Sequence, residues 1–364
     1  MKQESLFEKL GLLYLGREVD LETNEVGDSP FLYKNKNLTT HAAIIGMTGS
    51  GKTGLGVGII EEAMMDNVPS IIIDPKGDMG NLLLTFPELA PEDFKPWIDP
   101  AEAARKEMSV EQYAEKMASQ WQEGLASWGQ PKDRIARLRE RSELTIYTPG
   151  SSAGVPISVL NSFDPPGEEV LNDTDTLNNM VNGAVTSLLS LVGIKGDSLK
   201  NREHILLSSI VLHYWRKGEG LGLEKLISNV VAPPFDKVGV FGLDSFFSQS
   251  ERMELAMSLN NVLASPTFSS WTQGEPLDIK RILYTESGKP RTAVFCISHL
   301  SERERMFFVT MLLNQFVAWM RRQPGSSTLK ALLYMDEIFG YFPPTANPPS
   351  KKPMLLLLKQ ARAY

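Results

Sequence analysis

The stretch Gly46-Met47-Thr48-Gly49-Ser50-Gly51-Lys52-Thr53 matches the spacing G-x-x-x-x-G-K-[ST] at every position. Its surroundings have the matching pattern: Ala42 to Ile45 is a short apolar run that reads as a buried strand, and Thr53 to Met65 reads as the helix that follows. Gly46, Gly49 and Gly51 permit backbone angles closed to most residues, so successive N–H groups can turn inward around a polyphosphate. The start of the helix adds its partial positive charge at the same place. Lys52 is expected to reach the β- and γ-phosphates, and the Thr53 hydroxyl to complete the coordination of a bridging Mg²⁺. Gly46, Thr48, Gly49, Ser50, Gly51, Lys52, Thr53 and Gly54 therefore form the candidate nucleotide-binding set, with ATP and Mg²⁺ as expected ligands.

A second half of such a site lies far downstream. Lys330 to Met335 is an apolar strand that ends in the carboxylates Asp336 and Glu337. Asp336 at the strand end can hold the Mg²⁺ shell, while Glu337 points elsewhere and can polarise the attacking water. Glu337 and Lys52 are thus the candidate catalytic pair, and Thr53 and Asp336 the candidate metal set. Between the two halves, Ser70-Ile71-Ile72-Ile73-Asp74 reads as a strand buried on both faces, as in a parallel sheet. It runs into Asp74-Pro75-Lys76-Gly77-Asp78, at the kind of strand end where open α/β sheets bind ligands, so Asp74 is a candidate for the nucleotide or its metal. A polar turn with Asp78 as a helix cap is the alternative. A glutamate directly after the strand-end aspartate, with an extra strand between the two halves, points to the additional-strand catalytic-glutamate class of P-loop ATPases.

With 364 residues the chain has room for about two domains, or one large domain with insertions. A net charge of -7 argues against coating nucleic acid with the whole surface, although loops lining a pore can still concentrate positive charge. The single cysteine, Cys296, excludes an internal disulfide, fits a reducing compartment and is expected in the core. No apolar run of membrane-spanning length is present, and Lys2, Glu4, Glu8 and Lys9 break up the N-terminus, so a cytoplasmic protein without a membrane partner is expected.

Residues 1–37 read as a small strand-bearing lead-in, with His41 beyond it as a strand-edge residue. Residues 38–90, 143–162 and 291–364 carry the core pattern, interrupted by helical insertions at 91–142 and 163–290. Within the first insertion Tyr113, Met117 and Trp121 recur every four residues as a packing stripe. The basic run Lys132, Arg134, Arg137, Arg139 and Arg141 reads as a solvated helix face more readily than as a phosphate patch. Arg303 and Arg305, near a strand end, either face a nucleotide or serve the surface. His204 and His213 lie too far apart on their helix to share a metal.

The order His41-Ala-Ala-Ile-Ile-Gly-Met-Thr-Gly-Ser-Gly-Lys-Thr-Gly, Ile-Ile-Asp74-Pro-Lys-Gly-Asp, Tyr147-Thr-Pro-Gly-Ser and Met-Asp336-Glu-Ile resembles the HerA-like ATPases of the HerA/FtsK superfamily. The resemblance implies an α/β fold with a RecA-like P-loop NTPase core, a mainly parallel sheet and, around it, the helical insertions. It also implies a hexameric ring, a homo-oligomer that moves along or unwinds double-stranded DNA, often beside a nuclease or in defence against foreign DNA. In that family a helix and a further strand with a polar sensor follow the strand-end acids, whereas this sequence stops at Tyr364. It therefore reads as truncated, or as completed by partners, and is expected to bind ATP better than it hydrolyses it. A nucleotide-switched assembly protein that moves no DNA is the alternative from another class, and a secretion or conjugation ATPase is a third.

Overall fold

A computed structural model describes residues 10–159, 163–194 and 200–364. Lys2, Glu4, Glu8 and Lys9, and the core boundary placed at residue 162, lie outside them. β1 (Leu12–Val19) pairs antiparallel with β2 (Val26–Lys34) across a turn that Asp20 closes through its carboxylate. Then come α1 (Lys52–Met65) and β3 (Ser70–Asp74). The first insertion supplies α2 (Val110–Ser127) and α3 (Asp133–Arg141), and β4 (Glu143–Tyr147) returns to the sheet. The second supplies α4 (Thr174–Leu191), α5 (Arg202–Trp215), α6 (Leu223–Val231) and α7 (Gln249–Ala264). The chain closes with β5 (Arg291–Cys296), α8 (Glu302–Arg321), β6 (Leu332–Met335) and α9 (Lys351–Gln360).

The central sheet is parallel throughout, in the order β6-β3-β5-β4. Its middle strands are covered on both faces, which is why they read as continuous apolar runs. Side chains alternate along a strand, so Ile71 and Ile73 of β3 enter one core with Ala293 and Phe295 of β5, while Ile72 and Val294 enter the other. The first core is filled largely by α4 and α8, and the second by Ile60 and Met64 of α1. A third cluster joins Leu89 to Phe94, Ala114 and Ala118. No helix among the described residues is long and apolar enough to cross a membrane.

Several expectations are corrected. Ala42 to Ile45 forms no strand, and Ile45 is 93% exposed. A four-residue run containing two alanines offers little area to bury and poor β-propensity, too little to hold it against the edge strand β6. The stripe on α2 buries Tyr113 and packs Met117 but leaves Trp121 exposed. Cys296, expected in the core, is only half-buried, beside Ser298. The basic run is only in part a solvated face: Lys132, paired with Glu88 (2.8 Å), and Arg139 are exposed, whereas Arg141 donates to the Met65 carbonyl (3.0 Å) and Arg134 pairs with the buried Glu62.

Candidate functional site

The glycine-rich loop runs into α1 through Gly51, the helix N-cap, whose φ of 87° lies in the left-handed region, as does the 80° of Gly49. Side chains at either position would strain the backbone. A Cβ on Gly46 would collide with the Ser50 side chain. The Ser50 N–H donates to the Met47 carbonyl (3.2 Å) and closes the turn, and the Lys52 ammonium donates to the same carbonyl (2.8 Å). The positive charge of Lys52 is thereby held across the loop. Thr48, Ser50, Thr53 and Gly54 occupy the loop and the first turn of the helix, as their sequence positions require.

Strands β3 and β6 lie side by side and in register, so their carboxyl ends meet. The Asp336 N–H continues the ladder to the Ile73 carbonyl (3.1 Å). The Asp336 carboxyl is buried and accepts from the Tyr334 hydroxyl (3.2 Å). Burial raises its pKa, opposed by that hydrogen bond and by Lys76, and the carboxylates of Glu337 and Asp74 push it further up. Tyr334 approaches α1 so closely that a Cβ on Gly56 would overlap its hydroxyl. The glycine thus lets the strand-end acid and the helix of the loop sit together.

Glu337 departs from the sheet with φ at 52°, an unusual conformation for a residue with a side chain. Its carboxylate pairs with the Lys76 ammonium at 2.5 Å. That hydrogen bond, and then the charge of Lys76, hold its pKa below the usual carboxylate range, with a smaller contribution from Lys52. The influence of Lys52 places the phosphate-loop charge within electrostatic reach of the second acid. Lys76 was visible in the sequence between two aspartates, but nothing local pointed to a partner 261 residues away.

Asp74 builds the turn after β3. Its carboxylate is fully buried and accepts from the backbone N–H groups of Lys76 (3.2 Å), Gly77 (2.7 Å) and Met79 (3.0 Å). These bonds build the turn that presents Lys76, so the polar-turn alternative describes the geometry of Asp74, with the carboxylate supplied by Asp74 rather than Asp78. Arg305 likewise donates to the carbonyls of Leu300 (2.8 Å) and Ser298 (2.7 Å) and anchors the start of α8. His41 meets the Leu358 carbonyl at 3.0 Å.

With the loop, the two strand ends and their charges in place, the comparison with protein families is specific. Residues 27–147 match the model of the helicase HerA central domain. Over this segment the chain is similar to the central domain of the HerA ATPases. No curated protein matches the chain. The HerA match takes in β2, the glycine-rich loop, Asp74 and β4, whereas Asp336 and Glu337 lie downstream of it and join that segment through the pairing of β6 with β3, the approach of Tyr334 to Gly56 and the Lys76–Glu337 pair.

The site has donor types that a magnesium nucleotide requires: a glycine-rich loop at a helix start, a lysine, a helix-start hydroxyl and a buried strand-end carboxylate. Burial is the main reason that the Asp336 pKa is raised, with Glu337 and Asp74 adding to it, and a divalent cation would offset both. Among the described residues no cluster of three or more His, Cys, Asp or Glu side chains is arranged to hold a metal by itself. A Mg²⁺ here would therefore draw ligands from the nucleotide and water.

Proposed function

We propose that the chain binds MgATP between the Gly46–Thr53 loop and the carboxyl ends of β3 and β6, and that Glu337 is the base for its hydrolysis. The observation that carries this reading is that the β6 strand end bearing Asp336 and Glu337 pairs beside β3 and, through Tyr334 against Gly56, adjoins the helix that Lys52 begins. Gly46, Thr48, Gly49, Ser50, Gly51 and Gly54 line the phosphates with backbone amides, Lys52 supplies counter-charge, and Thr53 and Asp336 supply metal ligands. Asp74 acts by holding the turn of Lys76. The reaction drives movement along double-stranded DNA by a hexameric ring in the cytoplasm, with a nuclease or other defence protein as partner; the HerA-like domain supports this part. The lead-in at 1–37 and the insertions at 91–142 and 163–290 then flank a core that carries the chemistry. ATP turnover stimulated by double-stranded DNA is the test, and turnover indifferent to DNA would remove the translocase reading.

A second reading, a nucleotide switch that recruits an effector without moving DNA, is favoured by the Lys76–Glu337 pair, which engages the base and so favours loading over turnover.

Two substitutions test the site directly. Lys52→Ala removes the charge on the phosphates and is expected to weaken ATP binding by about 10- to 100-fold, the range for a hydrogen bond to a charged group. Titration calorimetry that found wild-type affinity would remove Lys52 from the site. Lys76→Met frees the Glu337 carboxyl from the ammonium that lowers its pKa. The acid limb of the turnover–pH profile is then expected to move to higher pH, because the base is lost to protonation sooner as pH falls. An unmoved limb would mean that Glu337 is not the titrating base.

A further inference from the structure

Beside the first two turns of α1 lies an apolar cleft of about 460 Å³, lined by Tyr14, Leu15, Gly16, Gly54, Leu55, Gly58 and Trp128. Its walls come from three separate parts of the chain: the β1–β2 hairpin, the helix that begins with Lys52, and the residue that caps α2. A Cβ built on Gly16, Gly54 or Gly58 would meet nothing within 4 Å. These glycines therefore serve no close packing in the protein itself, and each leaves room on the cleft side of its element. Gly54 and Gly58 stand one helical turn apart, about 6 Å along the axis, and form a flat strip that leads away from Thr53.

Two further features fit a planar heterocycle. Trp128 is 44% exposed, yet its position is fixed. The Arg17 guanidinium lies 5.2 Å from the indole centroid and donates to the Ser127 carbonyl (2.7 Å), and the Tyr14 hydroxyl donates to the carbonyl of Trp128 (3.3 Å). A pre-set aromatic ring stacks at low entropic cost. The pairing of β1 with β2 slips between Tyr14 and Gly16, which leaves Leu15 opposite no residue of β2. A bulged residue presents backbone amide groups that the ladder does not use, here at the rim of the cleft. The Nε of Arg17, buried behind the indole, also has no acceptor among the described residues.

We propose that this cleft is the nucleobase subsite: a purine base enters against Trp128 and the Gly54–Gly58 strip, with its polar edge read by the backbone at Leu15. The inference rests on the nucleotide reading of the Gly46–Thr53 loop, because it is the triphosphate bound there that brings the base alongside α1. A pyrimidine offers a smaller face to the same walls and binds more weakly.

The test is calorimetric titration of the whole chain with ATP, CTP and inorganic tripolyphosphate. Wild-type protein is expected to bind ATP at least tenfold more tightly than tripolyphosphate, with CTP between them. Gly58→Leu fills the strip from a helix position where a side chain meets open space and where leucine favours the helix. It is expected to bring ATP down to the affinity of tripolyphosphate while leaving tripolyphosphate within twofold of wild type. Trp128→Ala, checked for an unchanged circular dichroism spectrum, is expected to weaken ATP about tenfold with the same tripolyphosphate control. If ATP and tripolyphosphate bind wild type equally, or if neither variant changes ATP affinity, the base lies elsewhere while the phosphate reading stands. If neither ligand binds wild type, both readings fall together.

Discussion

Glu337→Gln is expected to leave ATP bound with near wild-type affinity and to slow its turnover by about 10²- to 10⁴-fold, the range for loss of a general base. The amide keeps the size of the side chain and can still accept a hydrogen bond from Lys76, so the fold around the strand end should not change. What it loses is the capacity to take a proton from water. In the wild-type protein that capacity is restrained, because the carboxylate lies 2.5 Å from the Lys76 ammonium and its pKa is lowered by that contact. A carboxylate held below its usual range is ionised at neutral pH but is a weaker base, and it must part from Lys76 before it can accept a proton. The loss in Glu337→Gln thus comes from removing the base, and the Lys76 contact accounts for the slow turnover expected before any substitution. Parallel measurements of nucleotide affinity and steady-state ATPase rate decide the matter. A Gln variant that turned ATP over within threefold of wild type would assign the base to another residue.

What could be read from the sequence follows from how local each feature is. The glycine-rich loop was legible because its backbone angles demand glycine at fixed spacing, and Gly49 and Gly51 do take left-handed φ. The buried strands were legible because β3 and β5 contribute to two cores at once and so carry unbroken apolar runs. The segment at Ala42–Ile45 misled because an apolar run predicts burial only where a neighbour accepts it, and the pairing of an edge is decided by tertiary context. Asp74 was recognised as special, but its three backbone partners lie within five residues, and turn-building is a local use of a carboxylate that the sequence could not separate from ligand binding. Lys76–Glu337 and the Tyr14–Trp128 cleft were out of reach, since each joins residues more than a hundred positions apart.

Arg134→Met is expected to destabilise the fold by about 3–5 kcal/mol at neutral pH, the cost of leaving a buried charge without its partner. Arg134, on α3, pairs with Glu62 on α1, and the two side chains are only 14% and 7% exposed. The other Glu62 oxygen accepts from the backbone N–H of Tyr14 (2.9 Å), so one carboxylate ties α1 to the lead-in hairpin and to the first insertion. Burial raises the pKa of Glu62, and Arg134 is the main influence that opposes the rise. Removing Arg134 therefore raises it further, and the sign of the pH dependence follows. An acid whose folded pKa is raised above the unfolded value contributes fully at low pH and loses that contribution as pH rises through the folded pKa. The deficit of the variant should accordingly be small in acid, where Glu62 is protonated in the folded and unfolded chain alike, and should grow as pH rises through the carboxylate range and above it. Urea denaturation at several pH values measures this, and Glu62→Gln in the same background should recover part of the loss by removing the stranded charge. A deficit that did not vary with pH, or one below about 1 kcal/mol as for an exposed pair, would mean that Arg134 acts through packing alone. Because α1 begins with Lys52 and lines the purine cleft, the outcome also reports how firmly the nucleotide site is fastened to the rest of the chain.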